Sequence, residues 1–254
     1  MEKLHIVTVT NDKFAKHLAV MLYSLLENKV SQNPVQIYTI YGKLSSENKS
    51  RLNKALKRFN VKIKFLTVNP ELYKGFKVGR YLTSETYYRF SIPDLLDKNV
   101  DKVLYLDCDM IVRDDVTWMW ELDLSKHVLA AVENPGQTHR FNKLSIPLTS
   151  SYFNAGMLFI NLKKWREQDI TKKVFQFTND NQAIIKLPSQ DPLNAVLHDK
   201  WLKLDPKWNF QVSRYGHLEI KPAIIHYTTR RKPWNDNPPF KEEYNKFARK
   251  VIWK

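Results

Sequence analysis

The order of strand-like and helix-like segments over the first 66 residues constrains this chain most. Leu4–Thr10 (LHIVTVT) is a β-branched run with strand character. Asn11 or Asp12 is predicted to cap a helix that carries Phe14, Leu18, Met21, Leu22 and Leu25 at helical period. Val35–Tyr41 (VQIYTIY) reads as a second strand. Ser45-Ser46-Glu47 opens a basic helix with Leu52, Leu56 and Phe59 on its inner side, and residues 61–66 (VKIKFL) read as a third strand. The order β-α-β-α-β predicts a parallel, doubly wound sheet, because each crossover helix must return to the same sheet edge in the same direction. A length of 254 residues allows one large α/β domain or two small ones. With no internal repeat and no linker, one domain over 1–239 is expected, followed by a basic, aromatic C-terminal tail or helix over 240–254.

Beyond a basic loop (Lys74–Arg80), Ser84–Leu96 reads as helical, with Pro93 as a break or a new start. Val103–Leu106 (VLYL) is a short apolar run of the kind that suits a central parallel strand. Val128–Val132, Phe153–Leu162 and Ala223–Tyr227 read as further strands, and Ile170–Thr178 and Asp191–Leu197 as helices.

Forty-one basic against 26 acidic side chains give a net charge of +15. The excess lies at residues 43–80 (eleven basic, two acidic) and 200–254 (thirteen basic, five acidic), around a slightly acidic middle. That balance predicts anionic partners, among them phosphates, nucleic acid or anionic lipid; solvated surface lysines are the simpler account of the helix at Lys54, Lys57 and Arg58. The 43% hydrophobic and 26% charged content with six glycines excludes collagenous, disordered and disulfide-stapled classes. The single Cys108 suits a reducing compartment. The opening Met-Glu-Lys-Leu-His lacks a signal-peptide pattern, and no apolar run reaches the roughly 18 residues of a spanning helix. The expectation is a cytoplasmic protein, with peripheral contact on the inner face of the membrane left open by the tail. There Tyr244, Phe247, Val251, Ile252 and Trp253 alternate with five cations, and an interfacial helix and a packed helix with a solvated basic face are equally compatible.

The sharpest chemical feature is Asp107-Cys108-Asp109, set directly after VLYL. In open α/β sheets ligands bind beyond the carboxyl ends of the strands. Two adjacent acids repel unless a cation sits beside them, and oxygen ligands suit Mg²⁺ or Mn²⁺, which also bridge a diphosphate. An Asp-rich turn is the bland alternative. His226, near the end of AIIHY, can complete a mixed oxygen and nitrogen coordination sphere that favours Mn²⁺, and the following Arg230-Arg231-Lys232 can hold phosphate oxygens. Asn154-Ala155-Gly156 and Ser189-Gln190-Asp191 place small and amide-bearing residues at element ends, where amides can read sugar hydroxyls.

Six segments occur together and in order: IVTVTNDKFAKHLAV, SETYYRFSIPDLL, KVLYLDCDMIV, YFNAGMLFINLKKWRE, SQDPLN and HYTTRRKPW. In this the chain resembles the retaining glycosyltransferases of family 8, which include glycogenin and bacterial lipopolysaccharide galactosyl- and glucosyltransferases. The resemblance implies a GT-A nucleotide-sugar-binding fold with a mostly parallel central sheet flanked by helices, a UDP-sugar donor and Mn²⁺, with Mg²⁺ as the alternative. It implies metal ligation by Asp107, Asp109 and His226. It also implies donor contacts from Val9, Thr10, Asn11, Phe14, Arg89, Cys108, Glu133, Asn154, Ala155, Ser189, Gln190, Thr229 and Lys232, with Gln190 beneath the anomeric carbon and Lys232 on phosphate. Three positions depart from the family pattern: Ser189 replaces an acid that touches donor hydroxyls, Thr229 replaces a glycine, and Lys13 replaces a frequent asparagine.

Gln190 and Asp109 are therefore the expected catalytic residues, and the expected reaction is hexose transfer from UDP-glucose or UDP-galactose to a glycan, glycolipid or glycoprotein. Because an amide is a poor nucleophile, the expected route is front-face attack rather than a covalent intermediate. Two other readings stay open on residues alone. An aspartate-dependent phosphoryl-transfer enzyme also uses a strand followed by Asp-x-Asp, though near the N-terminus. A basic nucleic-acid-binding module would use the charge, although no zinc-ligand spacing or helix-turn-helix pattern is present and no specific nucleic-acid partner is expected.

Overall fold

The computed structural model describes residues 1–78 and 83–254. The end of the basic loop expected at Lys74–Arg80 lies outside them. Among the described residues ten strands form two sheets: β1 (Leu4–Thr10), β2 (Val35–Tyr41), β3 (Ile63–Thr67), β4 (Lys102–Leu106), β5 (Met110–Val112), β6 (Leu129–Glu133), β7 (Phe153–Asn161), β8 (Trp201–Leu204), β9 (Phe210–Gln211) and β10 (Ile224–His226). The large sheet runs β3-β2-β1-β4-β7-β6-β8, and the small one β5-β10-β9. In the large sheet only β7 is antiparallel to its neighbours β4 and β6. The mostly parallel sheet expected from the strand order is thus present, with one reversed strand that no periodicity signalled.

Alternation along the strands divides the core in two. On β4, Leu104 and Leu106 join one buried cluster, and Val103 and Tyr105 the other, because successive side chains leave opposite faces of a strand. The first cluster is roofed by α1 (Ala15–Asn28) and α2 (Ser46–Ala55). Ser45 caps α2 by accepting the Asn48 N–H, as expected. Asp12 does not cap α1. Its carboxylate accepts the Ser45 N–H and hydroxyl and the Asn48 amide instead, while Asn11 accepts the Phe14 N–H one residue before α1 begins. Ser84–Leu95 is a 3₁₀ segment to Ser91 followed by a short α-turn, with Pro93 in that turn's first positions, where its missing N–H costs nothing.

The C-terminal helix Lys241–Ala248 packs on α1. Tyr244, Phe247 and Val251 are buried in the first cluster, and Trp253 lies against it. Burying each of those three contributes roughly 1.5–3 kcal/mol. Of the two arrangements compatible with the tail sequence, the structure has the packed helix, and most of the aromatic side chains that an interfacial helix would insert into lipid are committed to the core. No helix among the described residues is long and apolar enough to cross a membrane.

Candidate active site

Strand register builds the site. β4 ends at Leu106, the Asp107–Asp109 turn follows, and β5 starts at Met110. In the small sheet His226 is the antiparallel partner of Met110 and the parallel partner of Gln211. The Tyr227 N–H donates to the Asp109 carbonyl at 3.0 Å, and the Asp107 N–H donates to the Gly156 carbonyl of β7 at 2.9 Å. Residues far apart in the chain are therefore locked side by side by backbone pairing. His226 Nε2 lies 3.3 Å from Asp109 Oδ1 and 4.0 Å from Asp107 Oδ2. One ligand atom from each of the three lies within 4.8 Å of the other two.

Two observations fit this trio to a divalent cation. Two carboxylates and an imidazole are the donor set that Mn²⁺ and Mg²⁺ accept. The backbone also gives way to these side chains: a Cβ on Gly156 would stand 2.2 Å from His226 Cε1, 2.9 Å from Asp107 Oδ2 and 3.0 Å from Asn154 Oδ1. Only the absence of a side chain at Gly156 lets His226 and Asp107 approach each other against β7.

Each acid is held from behind. The Asp107 Oδ1 accepts from Tyr105 Oη at 2.5 Å and from Arg89 Nη2 at 3.0 Å. Buried Arg89 donates also to the Thr86 and Ala155 carbonyls and lies over the Tyr105 ring, so three of its donor groups are already engaged by protein. Burial opposes its charge, but Asp107, Tyr105 and Asp109 raise its pKa and keep it cationic. Asp109 pairs with the Lys232 ammonium, which donates also to the Tyr227 carbonyl. Burial would push the Asp109 carboxyl up; the Lys232 ammonium holds it well below the usual carboxylate range. Cys108, between the two acids, points to β1, where its thiol donates to the Val9 carbonyl, and burial pushes its pKa up.

The cleft has two lobes that meet at Arg89, Asp107 and Asp109. One is lined by Val9, Thr10, Asn11, Phe14, Thr83, Glu85 and Thr86 at the carboxyl end of β1. The other is lined by Asn154, Ala155, Gly156, Ser189, Gln190, His226, Thr228 and Lys232. Most residues expected from the sequence thus line one continuous cleft. Glu133 and Thr229 do not. The Glu133 carboxylate pairs with Lys203, and the Thr229 hydroxyl accepts the Arg231 N–H beside a separate small hollow.

Gln190 is aimed by a strained turn. Ser189, buried, has φ +56°, and the Gln190 N–H reaches back to the Pro188 carbonyl at 2.7 Å. Such three-residue turns cost about 1–3 kcal/mol. Fully buried Asp191 holds it: its carboxylate accepts from Arg140, Tyr152 and the N–H groups of Lys186 and Leu187. Gln190 Oε1 in turn accepts the Ala155 N–H at 3.0 Å. No pattern in the sequence marks Arg140, Tyr152 or Asn209, and none marks Glu85 as a lining residue. Asn194, within SQDPLN, ties helix Gln190–Leu197 to β7 through the Phe153 N–H and carbonyl.

The two-lobed cleft at the carboxyl ends of β1 and β4, with an acid pair and a histidine at its waist, stands where ligands bind in open α/β sheets. The profile of glycosyl transferase family 8 matches residues 5–238. The chain belongs to that family, and it is a glycosyltransferase. It is similar to General stress protein A of Bacillus subtilis, with 36% identity over 99% of this chain and 95% of the relative. It is 28% identical to the lipopolysaccharide 1,3-galactosyltransferase of Salmonella typhimurium, over 83% of this chain and 66% of that protein. Its fold superposes on the galactosyltransferase LgtC, crystallised with donor and acceptor sugar analogues, with a TM-score of 0.90 and 27% identity over 98% of this chain and 96% of that one. The GT-A fold is therefore present, and the phosphoryl-transfer and nucleic-acid readings are set aside.

Proposed function

We propose that this glycosyltransferase moves a hexose from a UDP-sugar to a carbohydrate-bearing acceptor with retention at the anomeric carbon, and that it needs a divalent cation, Mn²⁺ before Mg²⁺. The observation that carries the reading is the convergence of Asp107, Asp109 and His226, with Lys232 on the same carboxylate. A divalent ion bound there supplies charge neutralisation to a diphosphate as the anomeric C–O bond breaks. Glucose and galactose are the leading donor sugars because relatives carry those names.

The chain's own residues divide the remaining work. The lobe at Val9–Phe14 takes the uridine. Lys232 supplies a fixed cation for the departing phosphate, pre-organised beside Asp109. Arg89 orients Asp107 and closes the floor between the lobes. Retention through a covalent intermediate needs a carboxylate on the far face of the sugar. Among the described residues, the only carboxylates lining the sugar lobe are Asp107 and Asp109. The next acid, Asp191, is fully buried and fully hydrogen-bonded. Gln190 is an amide whose oxygen is held by a backbone N–H. Front-face attack follows, with the departing phosphate oxygen accepting the acceptor's proton and Gln190 positioning the sugar.

The test is hydrolysis of a panel of UDP-sugars without acceptor, in Mn²⁺, in Mg²⁺ and in EDTA. Metal-dependent release of UDP from one hexose donor supports the reading. Equal rates in EDTA, or no UDP release from any donor, refute it.

A further inference from the structure

We propose that Asn209 is the residue that makes His226 a metal ligand, by fixing which imidazole nitrogen carries the proton. The inference rests on the metal reading above.

The assignment follows from backbone groups whose polarity is unambiguous. The Gly156 N–H can only donate, and its partner at 2.9 Å is Asn154 Oδ1, which is therefore the carbonyl oxygen. That oxygen also meets Asn209 at 3.0 Å, so the Asn209 atom there is the amide nitrogen. The other Asn209 atom is then its oxygen, an acceptor, and it lies 2.8 Å from His226 Nδ1. Nδ1 must carry hydrogen. In the neutral ring Nε2 keeps its lone pair, and Nε2 is the atom that faces Asp109 and Asp107. The far end of the network agrees independently. The Glu133 carbonyl can only accept, so the Gln211 atom 2.8 Å from it is the amide nitrogen. The Gln211 oxygen then faces the Asn154 amide nitrogen at 3.5 Å, the orientation already required.

Both ends of this chain of amides are pinned by backbone, and every amide in it is buried. Asn209 precedes β9, whose Gln211 is the register partner of His226, so the small sheet delivers the amide and the imidazole together. Flipping any one of the three amides would set two donors or two acceptors against each other, a loss that buried groups do not recover from water. Asn209 is thus a positioning residue: it touches neither donor nor metal and acts through His226.

The experiment measures metal uptake rather than turnover. Isothermal titration of Mn²⁺ into the full-length protein saturated with UDP is compared for wild type, Asn209→Leu and Asn209→Asp. Leucine has similar volume and cannot accept the Nδ1 proton; aspartate can. The expected result is a roughly 10–100-fold weaker Mn²⁺ affinity for Asn209→Leu, with a clearly smaller loss for Asn209→Asp, which keeps the Nδ1 acceptor but sets its second oxygen against Asn154 Oδ1. Wild-type affinity in Asn209→Leu, or equal losses in both variants, overturns the assignment while leaving the metal site standing. Absence of Mn²⁺ uptake by wild type itself overturns the metal reading. Should Asn209→Leu fail to fold, long-range ¹⁵N–¹H correlation of the wild-type ring at alkaline pH decides: the Nδ1–H tautomer is expected, and the Nε2–H tautomer refutes it.

Discussion

Replacing Gly156 with alanine tests the site with a single methyl group. Gly156 lies within β7, an extended strand where any residue fits the backbone, so space alone demands glycine. The new Cβ would stand 2.2 Å from His226 Cε1. Carbon atoms pack at about 3.5–4.0 Å, so the ring must retreat by more than roughly 1 Å. It has little room to do so, because His226 is buried and Nδ1 is bonded to Asn209. Overpacking of this kind costs about 1–3 kcal/mol, which lowers Tm by roughly 2–4 °C per kcal/mol in a domain of about 250 residues. Function should suffer more than folding, since a 1 Å misplacement costs about 100-fold, or roughly 2.7 kcal/mol of activation free energy. The assay is Mn²⁺-dependent UDP release over a metal titration, run beside a thermal melt. The expected Gly156→Ala protein is folded, melts a few degrees lower, and needs far more Mn²⁺ for a much lower rate. Wild-type metal dependence in that variant would refute the claim that the trio closes around an ion against β7.

Three further outcomes follow. Asp109→Ala should lower turnover on the order of 10³-fold, a loss of several kcal/mol, whereas Gln190→Ala should lose only about 10–100-fold; an equal, complete loss in both would point to a covalent role for Gln190. Lys232→Met should cut kcat for UDP-sugar hydrolysis about 100-fold or more, as removal of a pre-organised charge does, while Mn²⁺ uptake persists because Asp109 keeps its carboxylate; unchanged kcat would contradict the role given to Lys232. His17 stacks on Trp234 and bonds Tyr244 of the C-terminal helix, and burial, aided by Lys16, lowers its pKa to about 4. The unfolded chain, with His17 near pH 6.5, binds the proton first, so stability is lost as pH falls below about 6.5 and continues to fall until about pH 4. At pH 5 the loss is about 2 kcal/mol; urea melts at pH 7 and pH 5 should show it, and His17→Phe should remove most of that difference.

Much of the fold was legible because its first half repeats one rule. The β-branched runs at Leu4–Thr10 and Val35–Tyr41 and the helical spacing of α1 require crossovers, and crossovers require parallel strands. β7 was legible as a strand but not as a reversed one, since direction depends on the connection from β6 and leaves no trace in FNAGMLFIN. The acid pair was legible from its place after VLYL. That His226 joins it was implied by resemblance, and the physical cause, the pairing of three-residue β5 with β10, is too short to announce itself by periodicity. Asn209 was silent for another reason: a lone amide carries no pattern, and its role exists only once the partners are assembled. Glu133, placed at the donor by the resemblance, has its carboxylate paired with Lys203.

The most direct measurement is the anomalous scattering of manganese in a crystal grown or soaked with Mn²⁺ and UDP. A single peak bonded to Asp107, Asp109 and His226 Nε2 and shared with the UDP diphosphate is the predicted result. Clear UDP density with no manganese among those three side chains would contradict the account.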